Sequence, residues 1–270
     1  MKTKHFAHAA GLLIGMSASV ISGNAFALST WNSQSCTASG SAHGNNYSCS
    51  ANGITATVTA WSTTGSSSTY QDATVNLYSG GFGVRNRNPY DGSDTGTTPD
   101  EQQDPQHSID NMTNTDLVLI NFGADSVALK ALSLGWWTSD SDVTVMRYKG
   151  GAVGNTSSLA GFGAGNLISN GWELVKSVAD VGNLPNDSTT FNAAGVSSSW
   201  WLISAYNSTY GGSGTGLDTA TKDYFKLLTF GGDKTSQTPG TGVPEPGSLA
   251  LVGIAALGMM GLRRRAKTAK

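Results

Sequence analysis

Asp140-Ser141-Asp142 is a pair of carboxylates two residues apart, just ahead of the apolar run that starts at Val143. Alternate residues of an extended chain point to one side, so both side chains can converge on a single hard cation. The same residues could instead close an Asx turn on their own backbone. The turn is the favoured reading and no cofactor is expected; a structural Ca²⁺ is the one such a pair could take. His107, Asp110 and Asn111 form a similar loop-edge group. Asp91-Gly-Ser-Asp-Thr-Gly96 imitates the start of an EF-hand loop, but its twelfth position is Gln102, where a bidentate Glu is needed. Trp136-Trp137 and Trp200-Trp201 are the candidates for stacking on sugar rings. Adjacent residues of a strand face opposite sides, so one Trp of each pair belongs in the core and the other could be exposed, but the favoured reading has both pairs mainly core or loop-covered.

Catalytic chemistry is thin by comparison. Beyond the first 27 residues the histidines are His43 and His107. There is no G-x-S-x-G elbow, no H-E-x-x-H zinc motif, no P-loop and no G-x-G-x-x-G. His107, Ser108 and Asp110 are close in sequence, but a triad is defined by spatial roles. In residues 28–242 the only Glu are Glu101 and Glu173, so a glycosidase-type pair would be drawn from the Asp residues. The expectation is no enzyme. A carbohydrate-binding module and a secreted hydrolase working through Asp are the alternatives. Thr55, Thr57 and Thr59 line one face of a strand. One row is not a repeated lattice, which favours a solvent-facing surface over an ice-binding one.

These residues need a scaffold, and composition says which kind. More than a third of the 270 residues are Gly, Ser or Thr, and charged residues are 13%, about half the usual share. That excludes coiled coils, helical bundles and highly charged disordered chains. Residues 28–242 hold nine basic against seventeen acidic residues, so the body is negative and no nucleic-acid partner is expected. Strand candidates are 54–61, 73–78, 116–122, 126–137, 143–148, 172–178, 200–206 and 224–230, each short, β-branched or aromatic, and bounded by turn residues. In Asp116–Phe122 both alternations are apolar, which predicts a strand buried on two sides. Gly123-Ala-Asp-Ser126 looks like a hairpin connection. Gly81–Gln106 reads as one long polar loop. The predicted fold is all-β, a single β-sandwich of jelly-roll type with long polar loops. Cys36 and Cys49 are the only cysteines and, in an exported chain, are expected to form a disulfide.

The two ends read as addresses. Lys2 and Lys4, an apolar run over 9–21 and the small-x-small pattern Ala25-Phe-Ala27 predict a signal peptide over 1–27, removed by signal peptidase so that the mature chain starts at Leu28. The body then spans 28–239 and a tail spans 240–270. That tail contains Val243-Pro244-Glu245-Pro246, an uncharged stretch from Ser248 to Leu262, and the cluster Arg263-Arg264-Arg265. As a helix, the stretch rises about 22 Å against a hydrocarbon core of about 30 Å, enough for a short-lived transmembrane stop. The arginines should stay cytoplasmic and leave the body outside.

Pro-Glu-Pro, a short apolar helix and a terminal Arg cluster resemble the PEP-CTERM sorting tail. The resemblance implies that exosortase, a transpeptidase-like membrane enzyme of Gram-negative bacteria, cleaves near Pro244–Pro246. It also implies a transient inner-membrane intermediate and a final place on the cell surface or in the extracellular matrix. Exopolysaccharide and biofilm genes often accompany such systems. The segments His107–Asn111, Asp116–Phe122 and Leu134–Gly150 also resemble a family of exosortase-dependent surface proteins, for which no chemistry is implied. The expected function is a secreted, non-catalytic surface or biofilm-matrix protein, with exopolysaccharide as a candidate partner.

Overall fold

The computed structural model describes residues 28–63, 68–87, 107–112, 114–150 and 158–235. The predicted signal peptide with Ala25 and Ala27, the EF-hand-like stretch 91–102, and the tail with Val243, Pro244, Glu245, Pro246, Arg263, Arg264 and Arg265 lie outside them. The predicted transmembrane helix does too. Among the described residues, no helix is long and apolar enough to cross a membrane.

Among the described residues there are fourteen strands and one short α-helix. They are β1 (Ser29–Asn32), β2 (Thr37–Ser39), β3 (Asn46–Ala51), β4 (Ile54–Thr63), β5 (Tyr70–Tyr78), β6 (Gly81–Arg85), β7 (Ile109–Asp110) and β8 (Asp116–Asn121). There follow β9 (Val127–Ser139), β10 (Val143–Tyr148), α1 (Ala164–Ser169), β11 (Trp172–Val178), β12 (Ser188–Thr190), β13 (Trp200–Ala205) and β14 (Asp223–Lys234). The all-β expectation holds. All eight predicted strands are found, with ends shifted by a few residues.

The hydrogen-bonded path runs β11-β10-β13-β8-β4-β5-β6-β14-β9-β12. It turns a corner within β5, whose residues 70–73 pair with β4 while 74–78 pair with β6. The sheet thereby folds into two facing layers. Val58, Ile120, Val145 and Ile203 from one layer meet Phe82, Leu129, Phe225 and Phe230 from the other. Trp31 of β1 is fully buried there, stacked on Phe230 at 5.4 Å, with its Nε1 donating to the Ile54 carbonyl at 3.1 Å. Burying an aromatic side chain of that size is among the largest single contributions a core residue makes.

The double alternation of β8 has its structural counterpart. Val118 and Ile120 face the inter-layer core, while Leu117 and Leu119 face a second apolar cluster with Trp61, Tyr70, Met146, Leu202 and Tyr210. Leu167 of α1 and Leu159 cover that outer side. A β-sheet with two apolar faces needs two covers, and the short helix with its flanking turns is the second one.

Two local expectations are corrected. Gly81–Arg85 is not loop but the strand β6, with Phe82 and Val84 fully buried. Its glycines hid it: a Cβ on Gly83 would collide with the His107 carbonyl and one on Gly81 with the Leu227 backbone, so close backbone approach demands Gly. Gly123–Ser126 does not close a hairpin either. β8 pairs with β4 and β13 while β9 pairs with β14 and β12, so this turn carries the chain from one layer to the other.

Cys36 and Cys49 form a disulfide with Cα atoms 4.4 Å apart, tying the entry of β2 to β3. Cys49 is buried against the main core.

Candidate metal centre

Asp140 and Asp142 flank the crossing from β9 to β10. Ser139 takes a left-handed φ of 59°, which ends β9 and swings Asp140 inward. The turn is pinned from outside. Val181 N–H donates to the Ser141 carbonyl at 3.1 Å, and Gly182 N–H donates to Ser141 Oγ at 2.9 Å. Asp223 opens β14 alongside: it pairs with Ser139, and Tyr224 N–H donates to the Asp140 carbonyl at 3.0 Å. Three carboxylates are thereby gathered, with oxygens of Asp140, Asp142 and Asp223 all within 4.8 Å of one another and all three residues buried.

Each carboxylate is held by donors. Asp142 accepts Asp180 N–H at 2.9 Å and Asp218 N–H at 3.2 Å on its two oxygens. Asp223 accepts Asp142 N–H at 2.7 Å and Asn111 Nδ2 at 2.5 Å. Asp140 accepts Ser141 N–H at 2.7 Å. Asn111 is the orienting residue: its Nδ2 also donates to the Tyr206 carbonyl at 2.8 Å, and its Oδ1 accepts Asp223 N–H at 3.0 Å. Such bonds favour ionised carboxylates but do not cancel the repulsion among them.

Burial is the larger effect. It pushes Asp223 up to about 8, with the charges of Asp142 and Asp140 adding to it. It pushes Asp142 up to about 6, against the Asp180 N–H bond and with the charge of Asp140 adding to it, and it raises Asp140 as well, with the charges of Asp180 and Asp218 adding there. Two unit charges at this separation repel by about 3–4 kcal/mol at an effective dielectric near 20. The described ion pairs use Asp72, Asp233, Glu173 and Asp125 and do not reach this cluster. Lys222 precedes Asp223, yet its ammonium points to the Thr219 carbonyl at 3.4 Å. The cluster therefore relieves its charge by holding protons or by holding a cation. Its donor set is all oxygen, the chemistry of Ca²⁺ or Mg²⁺, and a carboxylate oxygen that accepts one N–H retains lone-pair capacity for a metal.

Sequence reading supplied Asp140 and Asp142 and missed Asp223, which sits 81 residues after Asp142. The sequence groups Asn111 with His107 and Asp110, and the structure divides that group. Asp110 accepts Ser108 Oγ at 3.0 Å and Met112 N–H at 3.1 Å, while His107 stacks on Tyr78 at 5.5 Å.

The other address is written in the tail. Residues 242–265 match the family model of the PEP-CTERM protein-sorting motif. The chain carries a PEP-CTERM sorting tail. Comparison with curated proteins and with solved structures gives no match. The tail marks an exported protein sorted to the cell surface, with exosortase as its processing partner.

In the body ahead of this tail, the four candidate tryptophans are not brought together as a platform. Trp201 is fully buried, its Nε1 donating to the Val127 carbonyl at 3.0 Å and the Ser198 carbonyl at 3.1 Å. Trp137 is half-buried, packed on the main core and pressed by the Gly182 backbone. Trp200 is half-buried against the second cluster. Trp136 is half-buried with the Lys226 ammonium 4.4 Å from its ring centre. The physical reason is size: in a body with few large side chains, indoles are needed to fill the layers. Among the described residues a polar groove of about 490 Å³ lies elsewhere, with Thr63, Thr115, Asn166, Asn207 and Thr209 in its lining.

Proposed function

We propose that the body is a non-catalytic surface or biofilm-matrix protein of a Gram-negative bacterium, a jelly-roll-type sandwich delivered by its tail and released from it by exosortase. The tail match at residues 242–265 carries this reading. The composition supports it: a charge-poor, net-negative, hydroxyl-rich disulfide-closed all-β body suits the space outside the cell. Signal peptidase acts first, and exosortase then cuts near Pro244-Glu245-Pro246 while the apolar stretch holds the inner membrane. In a strain lacking exosortase, the protein should keep its full C-terminal mass and fractionate with membranes. A C-terminus that is the same with and without the enzyme overturns the proposal.

The clasp of Asp140, Asp142 and Asp223 serves the body as a structural divalent-cation site, calcium first. Outside the cell this cation is abundant enough to replace the protons the cluster would otherwise hold. Carbohydrate binding is a second reading, favoured by the polar groove rather than by the tryptophans. Every named lining residue there offers a neutral hydroxyl or carboxamide, as a sugar's hydroxyls require. The groove has no carboxylate among its described lining residues, so we propose no glycoside hydrolysis there. Binding to exopolysaccharide extracted from the host, weakened several-fold by Asn166→Ala or Thr209→Ala, would support the second reading. Equal binding by both variants and the parent would end it.

A further inference from the structure

The first strand starts one residue after the expected signal-peptidase cut. β1 runs antiparallel to β14 with Ser29 opposite Gly232, so the same register sets Leu28 opposite Asp233. Opposed residues of an antiparallel pair have Cα atoms about 4.5–5.5 Å apart. Asp233 is unusual here. Its Oδ2 accepts the Lys130 ammonium at 2.6 Å, but its Oδ1 is buried and has no hydrogen-bond partner among the described residues. A buried carboxylate oxygen left unpaired is costly, which makes it a place where a missing donor is expected.

Export supplies that donor. Hydrolysis of the Ala27–Leu28 peptide bond leaves a carboxylate on Ala27 and a new α-ammonium on Leu28. We infer that the α-ammonium of mature Leu28 is received by Asp233, which then bridges two cations, Lys130 through Oδ2 and the chain terminus through Oδ1. Leu28 is 44% exposed, and a cavity of about 430 Å³ opens beside Leu28 and Lys130, so the freed terminus has room to turn toward the carboxylate. The other charges on this edge are already matched, Lys234 with Asp125 at 2.6 Å. Before cleavage the same nitrogen is a neutral amide with one hydrogen, and afterwards it is a cation with three. The contact forms only in the processed chain, and it fastens β1, which carries Trp31 into the core. The inference rests on cleavage after Ala27.

The test uses exported protein purified with its natural N-terminus, beside a form with Gly-Ser inserted between Ala27 and Leu28. Mass spectrometry of the mature N-terminus comes first. A start other than Leu28 overturns the cleavage reading and the inference together. With Leu28 first, Asp233→Asn should shift the unfolding equilibrium about 3–10-fold more in the natural form than in the extended form, and Lys130→Met should leave that difference in place. The Leu28 α-amine should also react with an acylating reagent several-fold more slowly in the folded natural chain than in Asp233→Asn or in urea. Equal effects of Asp233→Asn in both forms, or an α-amine as reactive folded as unfolded, overturn the inference while leaving the cleavage site intact.

Discussion

The body has two fastenings that differ in kind. One is the Cys36–Cys49 disulfide, which joins residues 13 apart in sequence at one side of β3. The other is the acidic clasp, which gathers Asn111, Asp140, Asp142 and Asp223 from three separate stretches of chain. The covalent bond acts on a local, hydroxyl-rich loop that has little apolar surface of its own. The clasp acts at the crossing between layers, where β9 hands over to β10 and β14 begins. A disulfide is indifferent to protons and calcium, whereas three buried carboxylates respond to protons and, as a proposed cation site, to calcium. The pairing suits an exported protein. Oxidising surroundings close the first fastening, and external cations are proposed to load the second.

Breaking the clasp outright should have the largest effect. Asp223→Ala removes the acceptor for Asp142 N–H and for Asn111 Nδ2, and each buried donor left unpaired costs about 1–3 kcal/mol. Urea unfolding should show a loss of about 2–5 kcal/mol. A loss under about 1 kcal/mol would demote the cluster to a passive turn. The double change Cys36→Ser with Cys49→Ser comes next, at about 3 kcal/mol or less for a loop of this length. That loss should be the same with calcium or with chelator. A calcium-dependent loss would mean that the two fastenings are coupled, which the comparison denies.

The smallest and sharpest effect is in pH. An Asp titrates near 3.9 when unfolded, while in the fold Asp142 is pushed up to about 6 and Asp223 up to about 8. Raised carboxyl values favour the folded chain while these groups are protonated. That contribution is whole below about pH 4 and is lost as pH climbs through about 6 and then about 8. In chelator the melting temperature should carry this downward component between pH 4 and 8. Excess Ca²⁺ displaces the protons, so the gain on adding calcium should grow over the same range, reaching several °C. Asp140→Asn keeps an acceptor for Ser141 N–H but removes a charge, and should abolish most of that gain while changing stability in chelator by about 1 kcal/mol or less. A calcium gain that is flat with pH would show that protons and cation do not share the site.

Legibility in the sequence followed the range of the interaction. The strand at 116–121 announced both its buried faces, because alternation is local and its two apolar sets could only be satisfied by two covers. The strand at 81–85 was hidden by glycines whose reason is the approach of His107 and Leu227 from distant stretches. The turn at 123–126 has hairpin chemistry, yet which strands it joins depends on partners that local spacing does not encode. Asp140 and Asp142 stood out as neighbours, but nothing about Asp223 in Lys222-Asp223-Tyr224 differs from an ordinary strand entry.

By itself the chain determined its class, its disulfide and its sorting tail. Composition, two cysteines and a contiguous tail motif are properties of short stretches and survive without a fold. Only tertiary structure decided which aspartates meet and which tryptophans are core, and it alone set Asp233 opposite Leu28. Those outcomes depend on strand register across two layers, where residues far apart in sequence come within a few ångströms and lose the water that would have kept their charges independent.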